Sequence, residues 1–374
     1  MGWRVVLTSE VDAIVVGAGV AGLTAAKIIG EGGFQVLVIA SGYGCSQASS
    51  GTIDVLGRYE GKCVVDVESA LEKFVKENPW HIYALAGKKT VLSALSDFQL
   101  RSEGLYAGGG GRNMKIITPL GTVKSTYLVQ STMLNASPEA LAGSKVILIA
   151  FPGLTGYAPH IIAGKMRSEG IEVKTVKLDL PAISPFQLAS SIESSPEVLT
   201  DKLREENAKN YDWVVFPPVL GLRNVRETWQ VVEEKLETRV VELPSFPPSV
   251  PGKRLYFSLR SQCEKAGVEI ALGKIVSKIK LRRGRVVEVS TGEGSYVPST
   301  LILSTGWMLD RVLKIKGLPP RSKKEYDIKV EGVENLFFAR SPVSHEEKIG
   351  LGAAITTGWL AGKAALDYLK KGGN

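Results

Sequence analysis

Gly17, Gly19 and Gly22 lie in the run Gly17-Ala18-Gly19-Val20-Ala21-Gly22, a spacing whose chemistry is the binding of a pyrophosphate by bare backbone. The first glycine suits a tight turn, the second a close approach of backbone to phosphate, and the third close packing of a helix on a sheet. A helix beginning there adds unpaired N–H groups and partial positive charge. A polar stretch follows, Ser41-Gly-Tyr-Gly-Cys-Ser-Gln-Ala-Ser-Ser-Gly-Thr-Ile-Asp54. Its Ser41, Ser49, Ser50, Gly51 and Thr52 supply small hydroxyls and exposed backbone, the means to line a ligand. Near the other end, Thr305 and Gly306 close a strand, and Gly350 and Gly352 open the last helix. A glycine-led helix N-terminus suits an anionic or electron-rich ring edge.

The elements around the first glycines have the required order. Ile14, Val15 and Val16 form a β-branched run fit for a strand buried on both faces. Leu23 to Ile29 carry helical apolar spacing, Gly32-Gly33 breaks the helix, and Gln35 to Ala40 reads as a second strand. Strand, glycine turn, helix and strand within about thirty residues are the context of a dinucleotide fold. The Asp or Glu that would hold a ribose, about twenty residues on, is missing: Ala40 stands there, followed by Ser41. Either Ser41 makes a weaker hydrogen bond, or the ligand lacks the adenosine half, as FMN does.

Further along, Val67 to Glu77 and Val91 to Leu100 read as helices, and Thr118-Pro-Leu-Gly-Thr122 as a turn. Lys145 to Phe151, Ala158 to Glu169 and Ile171 to Val176 form a strand–helix–strand unit. Asp212 to Phe216, Val225 to Lys235 and Arg239 to Leu243 form another. Leu255 to Ala266 reads as a helix, and Lys274 to Lys280 with Arg285 to Ser290 as a hairpin turning at Arg283-Gly284. Leu301 to Gly306 and Val333 to Ala339 are strands. The fold class expected is α/β: a Rossmann-type FAD/NAD(P)-binding domain from 1–57 and 244–374, with a second α/β domain inserted at 58–243.

Composition is that of a globular chain, with 44% hydrophobic and 22% charged residues and 40 glycines among 374 residues. The net charge of +8 favours anionic ligands, an acidic partner or an anionic membrane surface. Nucleic acid is not expected, since no block of like charge or basic-aromatic cluster stands out. Cys45, Cys63 and Cys263 are too few and scattered for a disulfide framework, a zinc site or an iron–sulfur cluster, which points to a reducing, cytoplasmic setting. No apolar run is long enough to span a bilayer, so membrane contact is expected to be peripheral.

Ser49-Ser-Gly-Thr-Ile-Asp-Val-Leu56, Thr118-Pro-Leu-Gly-Thr122 and Leu243-Pro-Ser-Phe-Pro-Pro-Ser-Val-Pro-Gly-Lys-Arg-Leu255 resemble the B subunit of anaerobic glycerol-3-phosphate dehydrogenase. With the opening glycines and Glu334-Asn-Leu-Phe337, the resemblance spans most of the chain. It implies a flavin, FMN with FAD as the alternative, and oxidation of sn-glycerol 3-phosphate to dihydroxyacetone phosphate. It also implies electron transfer to a quinone through a second flavoprotein subunit and an iron–sulfur subunit, placing the chain at the inner face of the cell membrane through its partners. Oxidising a secondary alcohol needs a base and phosphate recognition needs a cation. His345, Arg340 and Arg254 are the candidates. Two other readings stay open: a non-catalytic electron-relay or scaffold subunit, and an independent FAD-dependent oxidoreductase of another small acid or alcohol.

Overall fold

The computed structural model describes residues 8–181, 184–306, 328–339 and 350–372. They divide into two compact units. The first comprises Met1–Gly44, Ser69–Phe98 and Ser258–Asn374, the second Cys45–Glu68 and Gln99–Phe257.

In the first unit, Thr8–Val16, the helix Val20–Glu31 and Val36–Ala40 form the opening crossover, and Glu269–Leu272 extends the sheet beside Val36–Ala40. On the other side, Thr8–Val16 pairs in parallel with Ser295–Leu303 along its whole length. The far edge of Ser295–Leu303 is shared. Its start pairs with the antiparallel hairpin strand Arg285–Thr291, and its end pairs in parallel with Val333–Phe338. The parallel strands thus run in the 3-2-1-4-5 order of a dinucleotide-binding sheet. Ile14, Leu37, Ile39, Leu301 and Leu303 fill one face. On the helical face the C-terminal helix Gly350–Lys370 packs on Val20–Glu31. A Cβ at Gly358 would overlap the Ala21 carbonyl, so the two backbones meet only because this position is glycine.

Residues 69–98 were expected in the inserted domain and belong instead to the first unit. The buried Lys27 ammonium meets Asp97 at 2.8 Å, and the short helix Ile82–Ala86 packs on the C-terminal helix. His81 caps that short helix, its Nδ1 accepting the Tyr83 N–H at 3.1 Å. Its ring stands edge-on to Phe74 and Tyr83. The inserted domain therefore loses residues 69–98, and the second unit gains 45–57 and 244–257.

In the second unit a parallel sheet runs in the order Glu172–Lys177, Lys145–Ala150, Trp213–Phe216, Arg239–Glu242. Lys145–Ala150 reads as one apolar run because both its faces are covered. Ile147 and Ile149 join Leu188, Leu199 and Val232, while Val146 and Leu148 join Ile162 and Met166. Thr118-Pro-Leu-Gly-Thr122 joins the hairpin strands Met114–Ile117 and Val123–Thr126. The helix expected from Leu255 begins earlier, at Val250. Ser249 precedes it and its Oγ accepts the Gly252 N–H at 3.0 Å, and Pro251 in the first turn gives up no internal hydrogen bond.

Arg254 and Glu242 anchor this unit, with side chains fully buried. The guanidinium holds the carboxylate in two bonds, Nη1–Oε2 at 2.6 Å and Nη2–Oε1 at 3.0 Å. Its Nε donates to Gly221 O at 2.8 Å and Nη1 also to Gln130 Oε1 at 3.2 Å. Glu242 further accepts from Thr132 Oγ1 and the Leu220 N–H, each at 2.6 Å. Removing one ion leaves the other buried and uncompensated, so Arg254→Met and Glu242→Leu should each cost about 3–5 kcal/mol. The double variant should cost less than the sum. Urea denaturation of the three variants measures this cycle.

His81, 6% exposed, generates a pH prediction. Burial lowers its pKa from 6.5 to about 4. As pH falls through about 6.5 the unfolded chain takes up a proton that the folded ring does not accept until about 4. Stability present above pH 6.5 is therefore lost between 6.5 and 4, on the order of 3 kcal/mol. His81→Asn offers a capping oxygen in place of Nδ1 and should flatten the melting temperature across that window.

Candidate functional site

The carboxyl edge of Thr8–Val16 meets that of Ser295–Leu303 at the glycine run. Gly17 has φ +115°, and a Cβ there would overlap the Ser304 carbonyl. Only glycine satisfies both demands. Gly22 is closed in the same way, since its Cβ would overlap the Gly17 carbonyl. Gly19 is the opposite case: a Cβ there meets nothing within 4 Å. That space stands at the first turn of Val20–Glu31, which carries no side-chain cap and no acidic residue. The first intrahelical bond, Leu23 N–H to Gly19 O at 3.0 Å, leaves the N–H groups before it to a ligand.

Two neighbours complete the cradle within the first unit. Gly44, with φ +68°, brings the loop after the second strand against Gly19; a Cβ at Gly44 would stand 2.7 Å from the Gly19 Cα. Thr305, beside Gly17, has a buried Oγ1 with no hydrogen-bond partner among the described residues. An open space at a helix N-terminus, a bare backbone wall and an orphaned hydroxyl fit a phosphate-bearing cofactor. Gly306 continues the Thr305 turn with φ +64°. Ser41 is exposed at the end of the second strand, directly after the buried Ala40. Gly350 and Gly352 lie in the first turn of the C-terminal helix, the former exposed and the latter buried.

Ser49, Ser50, Gly51 and Thr52 belong to the second unit. Ser49 Oγ donates to Ser46 O at 2.6 Å and accepts the Gly51 N–H at 3.2 Å. Gly51 has φ +75°, and its Cβ would overlap Pro251. Its carbonyl accepts the Tyr106 hydroxyl at 2.7 Å. Thr52 is buried against Lys124 and Asp54. Lys124 escaped the sequence reading: it lies two residues past Thr118–Thr122, where an isolated lysine reads as surface.

The candidate anion binders fare differently. Arg254 is corrected: four of its guanidinium N–H groups are taken by Glu242, Gln130 and Gly221, and its side chain is wholly buried with no exposed face for a substrate. Arg340 and His345 lie outside the described residues. Of the cysteines, Cys263 is buried with its Sγ on Leu23 O at 3.3 Å, and burial pushes its thiol up to about 12, which makes it inert. Among the described residues no group of three or more His, Cys, Asp or Glu is placed to hold a metal, and no helix is long and apolar enough to cross a membrane.

Sheet order and glycine turn together define a Rossmann-type dinucleotide-binding domain. Residues 12–293 match the model of the FAD binding domain family, and the chain belongs to that family. Within it, the chain is similar to the B subunit of anaerobic glycerol-3-phosphate dehydrogenase from Aliivibrio fischeri (strain ATCC 700601 / ES114), with 32% identity over 272 residues. That match takes in 67% of this chain and 60% of the relative, less than two thirds of its length. The corresponding B subunit from Glaesserella parasuis serovar 5 (strain SH0165) is 25% identical over 326 residues, 81% of this chain and 76% of that protein. The resemblance drawn from residues 49–56, 118–122 and 243–255 is borne out. Among solved structures, L-proline dehydrogenase from P. horikoshii aligns at a TM-score of 0.40 and 8% identity, over 98% of this chain and 95% of that one, too distant a likeness to argue from.

Gly17 and Gly19 should separate stability from ligand binding. Gly17→Ala should destabilise the fold by on the order of 2–3 kcal/mol, because backbone strain and a backbone clash coincide. Gly19→Val should cost less than about 1 kcal/mol in stability. It should nonetheless weaken flavin binding at least roughly a hundredfold, about 2.7 kcal/mol. Thermal melts and fluorescence titrations of the two apoproteins check the contrast.

Proposed function

We propose that this chain is the flavin-binding subunit of a glycerol-3-phosphate dehydrogenase complex that converts sn-glycerol 3-phosphate to dihydroxyacetone phosphate and passes electrons towards a quinone. The observation that carries the reading is the cradle of Gly17, Gly19 and the unpartnered Thr305 hydroxyl, found in a chain similar to the B subunit of that enzyme. A bound flavin supplies the hydride acceptor. The chain's own backbone at Gly19 and the first turn of Val20–Glu31 hold its phosphate, and the Thr305 hydroxyl and Ser41 meet the rest of it. Gly306, Gly350 and Gly352 bring further backbone to the ring edge. In this reading His345 takes the hydroxyl proton of the substrate and Arg340 holds its phosphate.

FMN is the proposed flavin, with FAD as the alternative. Supporting FMN is Ala40, which closes the second strand with an apolar side chain 6% exposed where a ribose-binding carboxylate would stand. The FAD binding domain match supports the alternative. A second flavoprotein subunit and an iron–sulfur subunit are proposed as partners, since three scattered cysteines do not make a cluster. These partners would bring the chain to the inner face of the cell membrane.

FMN should bind the apoprotein at least as tightly as FAD in a competitive titration. A preference for FAD of tenfold or more, about 1.4 kcal/mol, would show that other groups hold the adenosine half. Anaerobic addition of glycerol 3-phosphate to the flavin-loaded complex should bleach the flavin absorbance. If the complex bleaches and the single chain does not, the electron-relay or scaffold reading is favoured. No bleaching in either would remove this substrate.

A further inference from the structure

Two cations of the second unit lie on one aromatic ring. Arg223 Cζ stands 4.3 Å from the centroid of Phe257, and Lys253 Nζ stands 5.6 Å from that centroid and 4.9 Å from the centroid of Phe186. The two charges therefore lie within about 10 Å of each other, no farther than one screening length. Arg223 is exposed, and its guanidinium makes no hydrogen bond or ion pair among the described residues. A carboxylate is close by but is spent on backbone. Glu193 accepts the N–H groups of Leu222, of Arg223 at 2.9 Å and of Asn224 at 3.1 Å, and forms no ion pair with the Arg223 guanidinium.

The place of these cations in the fold matters as much as their charge. Lys145–Ala150 and Trp213–Phe216 are parallel neighbours in the second sheet. The helix after the first, Pro159–Ser168, covers the face of Val146 and Leu148. The helix after the second, Val225–Leu236, covers the opposite face with Ile147 and Ile149. Connections that part in this way open a crevice at the carboxyl edge, where doubly wound sheets hold their ligands. Arg223 lies in the loop that leaves Trp213–Phe216 at that edge. Phe186 and Lys253 lie in the first turns of Pro185–Ser194 and Val250–Lys265, the helices that follow Glu172–Lys177 and Arg239–Glu242. A helix start carries partial positive charge and favours anions. Both cations stand against that field and against each other, an arrangement that stability alone does not select.

We propose that the carboxyl edge of the second sheet binds a small phosphate-bearing molecule, whose phosphate is held by Arg223 and Lys253. The N–H donors of a guanidinium lie in its plane, so the contact with the Phe257 ring consumes none of them. A fork of that kind matches two phosphate oxygens, and the ammonium adds a point charge. Phe257 and Phe186 hold the two cations in place without neutralising them. All four residues belong to the second unit, and the inference does not rest on the flavin reading.

The test is calorimetric titration with inorganic phosphate and with glycerol 3-phosphate, glycerol serving as the uncharged control. The space at Gly19 is kept out of the reading by loading the protein with flavin and, separately, by using the Gly19→Val chain. Both phosphates should bind saturably, compete with each other and weaken as salt rises, while glycerol should not bind. Arg223→Gln and Lys253→Gln should each weaken binding at least about tenfold, and Arg223→Lys by less than Arg223→Gln. Lys209→Gln, an exposed position just before Trp213 at the amino end of its strand, should change nothing. Arg223 is exposed, so the test survives if Lys253→Gln fails to fold. The proposal is overturned if neither phosphate binds saturably, if the Arg223 variants match the wild type, or if Lys209→Gln is as harmful as they are. A chain that takes up no flavin yet binds phosphate through Arg223 would end the flavin reading and leave this site standing.

Discussion

At the carboxyl edge of the first sheet, two backbones lie closer than any side chain permits. Gly17 turns the chain against the Ser304 carbonyl, and Gly22 seats the following helix against Gly17 itself. Everything that could bind a phosphate depends on this crossing. It lets Thr8–Val16 and Ser295–Leu303 run side by side to their ends. It also leaves the first turn of Val20–Glu31 uncapped over the space at Gly19. The glycine requirement at Gly17 and Gly22 is one of packing, whereas at Gly19 the fold itself imposes none. A position kept small where the fold has room is the mark of a ligand's approach rather than of stability.

The second unit sets two ion pairs against each other. Arg254 and Glu242 are wholly buried, and every strong contact of either is spent on the other or on nearby backbone and side chains. Such a pair orders its surroundings but offers nothing to a ligand. It ties the helix Val250–Lys265 to the end of Arg239–Glu242 and to the loop at Leu220 and Gly221. Lys124 and Asp54 are less deeply placed, and the lysine spends one proton on a hydroxyl. The two pairs use the same kind of Coulombic attraction. Burial and the third partner decide what each can do.

Much of this architecture is legible in the residues themselves. The order strand, Gly17-Ala18-Gly19-Val20-Ala21-Gly22, helix, strand follows from local steric rules, and so do the β-branched run at Ile14 to Val16 and the buried run at Lys145 to Phe151. The hairpin at Arg283-Gly284 is equally local, both residues taking the positive φ of its turn. The helices Pro185–Ser194 and Pro196–Glu205 went unread because their serines and prolines look like loop. In fact each proline opens a helix, and Ser184 caps the first.

Sequence alone determined the Rossmann-type fold, the glycine turn at Gly17, Gly19 and Gly22 and the absence of a carboxylate at Ala40, since each depends on residues near one another in the chain. Tertiary structure decided the rest. It assigned residues 69–98 to the first unit through contacts such as Lys27 with Asp97, 70 residues apart. It turned Arg254 from a candidate ligand into a core ion, because Glu242 and Gln130 reach it only once the chain is folded. It also set Lys124 upon Thr52, 72 residues away. A charged side chain carries the same symbol whether it faces solvent, a ligand or a buried counter-ion. Only the distances to partners remote in sequence tell these fates apart.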